Sequence, residues 1–323
     1  METILPVNIT QQLTSDYLDY SMAVILGRAI PDFRDGLKPV QRRVLTAAKW
    51  ANLSPDNRYV KSARLSGEVM AKLHPHSDCY GTIVTMTQNW TSNAPLIDGH
   101  GNFGSETDNA AAARYTEVKT TSFAWNFLLS ESEVWETSPT YDGSAAEPTV
   151  LNARFPNALL QCTNGIAVGF ATNTMSHAAD DILEGTRLLY NHQEKEAIQT
   201  LLPDSPTGCD ILKDDGLKEY LLTGNGKITM RARVTETSFT DSSRRRNATT
   251  PAFVFTHLPL HSNTEKVSLE IKEGLEEGKL KNIRSVIDGT DRTGARLTVV
   301  LDHKADPPKV LEALWKHTSL EKV

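Results

Sequence analysis

Two runs of helical periodicity, joined by one polar turn, constrain the first quarter of the chain more than any other feature. Val40, Val44, Ala47, Ala48 and Ala51 recur at helical spacing behind Pro39, a residue whose missing N–H costs nothing in a first turn. Gln41, Arg42, Arg43 and Lys49 stand off that stripe. After the turn Leu53-Ser-Pro-Asp-Asn-Arg58, the residues Leu65, Val69 and Leu73 follow four apart, with Lys61, Arg64, Glu68 and Lys72 on other faces. Two short helices around a turn, the second opening at Lys61-Ser-Ala-Arg64, predict a helix-turn-helix. Any solvated helical pair carries the same pattern, so periodicity alone assigns no partner.

Charge sharpens the reading. Between Arg28 and Lys72 there are ten cations and four acids, a surplus of six positive charges in a chain of net charge −6. The acidic total argues against nucleic acid, whereas the local surplus is what a phosphate-binding surface requires, since exposed charges are screened beyond about 10 Å. The alternative is a pair of ordinary solvated faces.

At 323 residues the chain is long enough for two domains with separate cores. The longest apolar run, Met22 to Leu26, falls far short of the roughly 20 residues of a membrane span, and Met-Glu-Thr does not open a secretory signal. Cys79, Cys162 and Cys209 are odd in number and widely spaced, which fits reduced thiols in a cytoplasmic protein. A Gly/Asn/Ser/Ala-rich stretch runs from Asn89 to Tyr115, a helix is expected from Phe123 to Leu129, and polar, small residues from Tyr141 to Pro148 mark a boundary. Beyond it, strands are expected at 228–234, 252–256 and 297–301 and helices at 179–192, 264–277 and 308–317. Asp241 to Thr249, with arginines at 244–246, is expected to be a solvated hairpin loop that could reach flanking DNA. The fold class is therefore α/β in the α+β sense. An N-terminal arm (1–27) precedes a winged-helix domain (28–150) and a mixed α/β domain (151–323).

One cluster carries chemistry: His74-Pro-His76, the glycine loop 99–104 and Ala110 to Glu117. Tyrosine is a poor nucleophile near neutral pH because its ordinary pKa is about 10. Nearby cations favour the phenolate, and a planar guanidinium can span two oxygens of a phosphorane-like transition state. Arg114 directly before Tyr115 could thus be an activated nucleophile with its clamp, although by itself such a dipeptide is far more often a surface charge beside a buried ring. His74-Pro-His76 lacks the further ligands a metal would need, and no metal site is expected in this chain.

At this point the chain resembles the A subunits of bacterial type IIA DNA topoisomerases, the gyrase A and topoisomerase IV A family with its phage relatives. The resemblance rests on Tyr17-Leu-Asp-Tyr-Ser-Met-Ala-Val-Ile25, Gly27 to Leu45, Lys61-Ser-Ala-Arg64 and Lys72-Leu-His-Pro-His76. It continues through Asp98-Gly-His-Gly-Asn-Phe-Gly-Ser105, Ala111-Ala-Ala-Arg-Tyr-Thr-Glu117, Phe155-Pro-Asn157 and Asn164-Gly-Ile-Ala-Val-Gly-Phe-Ala-Thr-Asn173. Pro203-Asp-Ser-Pro-Thr207, Gly224-Asn-Gly-Lys-Ile228 and Arg231-Ala-Arg-Val234 complete it, in the family's order.

The resemblance implies that Tyr115 attacks a DNA phosphate and becomes linked to the 5′ end, with Arg114 stabilising the transition state. It places Arg28 and His74 at the scissile phosphate, with Lys38 and His76 beside them on the DNA backbone. Arg42, Arg43, Lys61 and Arg64, on the helix-turn-helix, are expected to face DNA. Ile166, between Gly165 and Gly169, matches the residue that wedges between base pairs, whereas its own local pattern also reads as a buried strand with a glycine turn. By the same resemblance the second domain is the tower domain. The chain would stop inside it, before the coiled coil and second dimer gate.

The expected partners are double-stranded DNA, a second copy of the chain and an ATPase/TOPRIM B-type subunit, together a heterotetramer away from membranes. The B-type subunit would bring Mg²⁺ and bind ATP, because neither a TOPRIM-like Asp-x-Asp cluster nor a Gly-rich ATPase loop is found in this sequence. Ser77-Asp-Cys-Tyr-Gly81 is two residues shorter than the family pattern, which leaves helix geometry beside the site and quinolone sensitivity open. Two rival readings are a non-catalytic DNA- or partner-binding antagonist and a plain winged-helix regulator indifferent to Tyr115→Phe.

Overall fold

A computed structural model describes residues 8–75, 78–241, 248–291 and 294–323. The chain is α+β and divides into two compact units. The first comprises the described residues up to Gln88 together with Ala94–Gly101 and Ala112–Ser176; the second comprises Asn89–Asn93, Asn102–Ala111 and His177–Val323.

In the first unit, helix α1 (Ile9–Val24) starts where the Asn8 side-chain oxygen accepts the Thr10 and Gln11 amides at 3.0 and 3.3 Å. It buries no residue along its length and runs into a π-helical turn, Ile25–Ala29. Gly36 then turns the chain at φ +68°, where a Cβ would lie 2.5 Å from the Ala158 amide nitrogen, so only glycine fits. Helix α2 (Pro39–Trp50) follows with proline in its first turn, then strand β1 (Val60–Lys61) and helix α3 (Ser62–Lys72). Leu65, Val69 and Leu73 are buried on one stripe, as their spacing predicts. Helix α4 (Tyr80–Thr87) packs against both α2 and α3.

Strands β2 (Ile97–His100) and β3 (Glu117–Thr120) complete an antiparallel sheet in the order β1-β3-β2. Its pairs Val60–Val118 and Gly99–Val118 seat the fully buried Val118 beneath the helices. Three helices on a small three-stranded sheet form the winged-helix arrangement that the helical pair anticipated. Helix α5 (Ser122–Phe127), capped by Thr121, precedes a two-stranded sheet, β4 (Thr137–Pro139) with β5 (Ala146–Pro148). Helix α6 (Asn157–Leu160) then leads to the hairpin β6 (Thr163–Ile166) and β7 (Ala171–Thr174).

The boundary expected at residue 150 falls inside this unit. A buried polar hub accounts for the difference. The Asp35 carboxylate, fully buried, accepts the Leu37 amide at 3.0 Å and the Leu151 amide at 2.9 Å, and the Asp35 carbonyl accepts the Asn157 amide group at 2.8 Å. These bonds hold residues 151–157 to the segment that leads into α2.

The second unit contains α7 (Ala179–Tyr190), α8 (Glu194–Thr200), β8 (Asp210–Ile211), α9 (Asp215–Thr223) and β9 (Met230–Arg231). Strands β10 (Arg233–Asp241) and β11 (Ala248–Thr256) follow, then α10 (Thr264–Glu276), β12 (Ile283–Asp288), β13 (Leu297–Leu301), α11 (Pro307–His317) and β14 (Glu321–Lys322). The main sheet is antiparallel in the order β10-β11-β13-β12, and a smaller one runs β14-β9-β8. Phe253 and Phe255 of β11, with Leu297, Val299 and Leu301 of β13, alternate onto one face. That face is covered by Val267 and Ile271 of α10 and by Val310 and Leu314 of α11. The strand expected over 228–234 is interrupted at Ala232, whose amide donates to the Leu320 carbonyl at 2.8 Å. The arginines at 244–246 lie outside the described residues.

Candidate nucleic-acid interface

Tyr115 sits at the end of a tight turn, its amide donating to the Ala112 carbonyl at 2.8 Å, immediately before β3. Its side chain is 64% exposed, and the Arg114 guanidinium carbon lies 4.6 Å from its ring centroid. Thr116 behind it is fully buried. The Thr116 hydroxyl donates to the Ser62 hydroxyl at 2.8 Å and lies 3.0 Å from the Tyr80 hydroxyl. Two backbone bonds reinforce the junction, the Ser62 amide to the Thr116 carbonyl at 3.0 Å and the Ala63 amide to the Ala113 carbonyl at 3.2 Å. The start of α3, with exposed Lys61 and Arg64, is therefore fixed against the turn that presents Arg114 and Tyr115. The network around Thr116 carries no signal along the sequence, because its partners lie 36 and 54 residues away.

Lys61 pairs with Glu117 at 2.9 Å, and His100 Nδ1 lies 3.2 Å from the other oxygen of that carboxylate. The Lys61 hydrogen bond, followed by that of His100, holds the Glu117 carboxyl below its ordinary range. His74 follows α3 and is half-buried, its amide donating to the Val69 carbonyl at 2.9 Å. His76 lies outside the described residues.

A second group forms around the π-helical turn. Arg28 in that turn is exposed. Lys38, just before α2, donates from Nζ to the Asn164 carbonyl at 2.6 Å, and burial lowers its ammonium pKa. The next residue, Gly165, faces inward, where any Cβ would overlap the Ala29 carbonyl oxygen. Ile166 points the other way and is 82% exposed, with exposed Phe170 across the hairpin turn. The alternative reading of this segment as a buried strand is thus overturned at Ile166 itself: Thr163 and Gly165 are the inward residues.

Two expected DNA contacts are corrected. Arg42 is buried. Its Nε and Nη2 donate to Asp35 at 2.7 and 2.9 Å, and Nη2 also donates to the Leu37 carbonyl at 3.1 Å. Arg43 forms a two-point, partly buried pair with Glu147 at 2.6 and 2.9 Å, tying α2 to β5. A charged side chain on the outer arc of a helical stripe reads as solvated, but here each meets a carboxylate from another part of the unit. Arg34 and Lys72 are likewise paired, with Asp32 and Glu68. Of the five cations between Arg28 and Lys72 so paired, three meet acids of the same stretch and two, Arg43 and Lys61, meet Glu147 and Glu117 from outside it, which lowers the local surplus of six by two.

Among the described residues no group of three or more His, Cys, Asp or Glu is placed to hold a metal ion, and no helix is long and apolar enough to cross a membrane.

The profile of the family that comprises the A subunits of DNA gyrase and topoisomerase IV matches residues 28–323. Among DNA gyrase A subunits, the chain is 42% identical to that of a Nocardioides species over 330 residues, covering 98% of this chain and 35% of that protein. With the Synechocystis protein the identity is 39% over 99% of this chain and 38% of the relative; with that of Mycolicibacterium smegmatis it is 40% over 99% and 39%. The chain thus spans well under half the length of these relatives.

Proposed function

The chain belongs to the family of DNA gyrase and topoisomerase IV A subunits, and on that premise we propose that it is the DNA-cleaving and religating component of an ATP-dependent type IIA topoisomerase. The observation that carries the reading is Tyr115, an exposed phenol on a rigidly backed turn with the Arg114 guanidinium over its ring. Five of the chain's eight tyrosines are exposed, so exposure alone does not mark Tyr115; what sets it apart is the Arg114 guanidinium over its ring and the buried Thr116 that fixes the backbone beneath it.

In the proposed reaction the Tyr115 phenolic oxygen attacks a backbone phosphorus, and the bond from phosphorus to the 3′ oxygen breaks. The phenolic proton passes to solvent water as the new bond forms, and His74 gives a proton to the departing 3′ oxygen and takes its replacement from water, so the proton count is unchanged. Arg114 and Arg28 place fixed positive charge where the phosphoryl oxygens gain negative charge. The product is a 5′-phosphotyrosyl ester whose bond energy is retained, so attack by the 3′ hydroxyl reseals the strand without another energy source. Lys61 and Arg64 would hold the flanking backbone, and Ile166 would enter a base step to bend the duplex.

A metal ion would stabilise the same phosphoryl charge, but the described residues supply no donor set for one, so no step is routed through it in this chain. Mg²⁺ and ATP belong in this reading to a B-type partner. Two copies of the chain, each with one Tyr115, would cut the two strands.

The test mixes purified protein, B-type subunit, Mg²⁺ and supercoiled DNA and traps protein–DNA adducts with detergent. The expected result is an adduct that Tyr115→Phe abolishes while DNA affinity stays within about two-fold, since one exposed hydroxyl contributes little to binding. Absence of any Tyr115-dependent adduct would replace the enzyme reading with that of a non-catalytic DNA- or partner-binding protein.

A further inference from the structure

Among the described residues, Lys38 is the candidate DNA-facing cation whose charge is aimed at the protein backbone rather than at a carboxylate or solvent. Its ammonium donates to the backbone carbonyl of Asn164 at 2.6 Å, across 126 residues of sequence. That carbonyl lies two residues from Ile166, on β6. The adjacent Gly165 sits against the Ala29 carbonyl so closely that no side chain fits, and Ala29 is the residue after Arg28. The hairpin β6–β7 is otherwise a two-stranded ribbon of four residues a side. Isolated ribbons of that size are marginal in water, so its orientation must come from what it is fixed to. A charge-assisted bond to a carbonyl is stronger than a neutral one and has a defined direction.

We propose that Lys38 is a positioning residue: its ammonium braces the hairpin at Asn164 so that Ile166 is presented to the duplex at a fixed height relative to Arg28. This rests on the wedge role of Ile166 put forward above. An ammonium serving as a brace differs from one serving as a phosphate contact in what its loss does. Removing a phosphate contact reduces the slope of log affinity against log salt by about 0.9 and leaves the bound DNA equally bent. Removing the brace lets the hairpin tilt, so the bend is lost even when the DNA is saturated.

The experiment combines the full chain and its B-type partner with a duplex carrying donor and acceptor fluorophores at its ends, and adds hydrogen exchange on the free chain. For Lys38→Met the expected results are faster exchange of amides 163–174 and, at saturating protein, loss of most of the change in transfer efficiency that the wild type produces. Lys38→Arg, which keeps a charged donor, should restore both at least in part. Where Lys38→Met fails to fold, Lys38→ornithine by semisynthesis, one methylene short of the Asn164 carbonyl, takes its place: faster hairpin exchange and a reduced bend support the brace, and a full bend with unchanged exchange overturns it. Unchanged exchange of the hairpin in Lys38→Met, or a full bend at saturation, overturns the proposal. If Ile166→Ala bends the duplex as the wild type does, the wedge reading itself fails. The hairpin exchange of Lys38→Met, read on the free chain, separates that failure from failure of the brace.

Discussion

Removing either partner of the buried Asp35–Arg42 pair should unfold the first unit far more readily than losing a surface ion pair, and the two losses should not be equal. Asp35 is fully buried and the Arg42 side chain is 9% exposed. Four N–H groups converge on the carboxylate: Arg42 Nε at 2.7 Å, Arg42 Nη2 at 2.9 Å, and the amides of Leu37 and Leu151 at 3.0 and 2.9 Å. Asp35→Ala leaves the buried guanidinium with only the Leu37 carbonyl and both amides without their acceptor, and its cost should sit near the top of the range of about 3–5 kcal/mol for a broken buried pair. Arg42→Met leaves a carboxylate that still accepts two amides, so its cost should sit near about 3 kcal/mol. The double variant buries no charge but leaves the Leu37 and Leu151 amides unpaired, at about 1–3 kcal/mol each. Its cost should therefore fall at least about 2 kcal/mol short of the sum of the singles. Urea denaturation gives the three values, and exchange at the Leu37 and Leu151 amides locates the effect: both should lose protection in Asp35→Ala and keep it in Arg42→Met. DNA binding by folded Arg42→Met should keep the wild-type salt slope. Additive singles, or a cost for Arg42→Met below about 1 kcal/mol with a slope reduced by about 0.9, would refute the hub and return Arg42 to the DNA surface.

Two further outcomes follow from the same unit. Gly36→Ala should cost about 3 kcal/mol in urea denaturation, combining the penalty of a left-handed backbone at φ +68° with a methyl 2.5 Å from the Ala158 nitrogen. Glu117 has its carboxyl held below the ordinary value of about 4.5, by Lys61 and then His100, so its contribution is present above that value and is lost as pH falls through the lower, folded one. Glu117→Gln should accordingly lower the melting temperature near pH 6 and progressively less as pH falls below the ordinary carboxylate range, and an equal effect at neutral and strongly acid pH would contradict the assignment.

What the sequence disclosed, and what it did not, follows from how far each interaction reaches along the chain. The stripe Leu65, Val69 and Leu73 was legible because a helix buried on one face writes that face at a fixed period. The same logic failed for Arg42 and Arg43: α2 is buried around most of its circumference, and the carboxylates that make this possible stand 7 and 104 residues away. Helix α1 lies within the expected arm and buries no residue, although Ile9, Leu13, Tyr17 and Tyr20 recur at helical spacing along one face. Tyr80 to Thr87 is rich in β-branched residues yet forms α4, where packing against α2 and α3 overrides local preference. Tyr115 and Arg114 were legible as a pair of residue types; the Thr116 hydroxyl network that holds them out was not, because it joins three distant hydroxyls.

The exposed residues and the buried polar bonds belong to one argument. Leaving Ile166 at 82% exposure forgoes most of the roughly 1.5–3 kcal/mol that burying such a side chain contributes, and Tyr115 at 64% forgoes much of a larger aromatic contribution. Neither residue is loosely attached. Gly165 is pressed on the Ala29 carbonyl beneath Ile166, and Thr116 is locked between Ser62 and Tyr80 beneath Tyr115. A side chain that is exposed because its backbone is mobile needs no such support. A side chain held out from a fixed backbone is stabilised as a shape offered to something else, which is what the proposed roles of Ile166 as a wedge and Tyr115 as a nucleophile require.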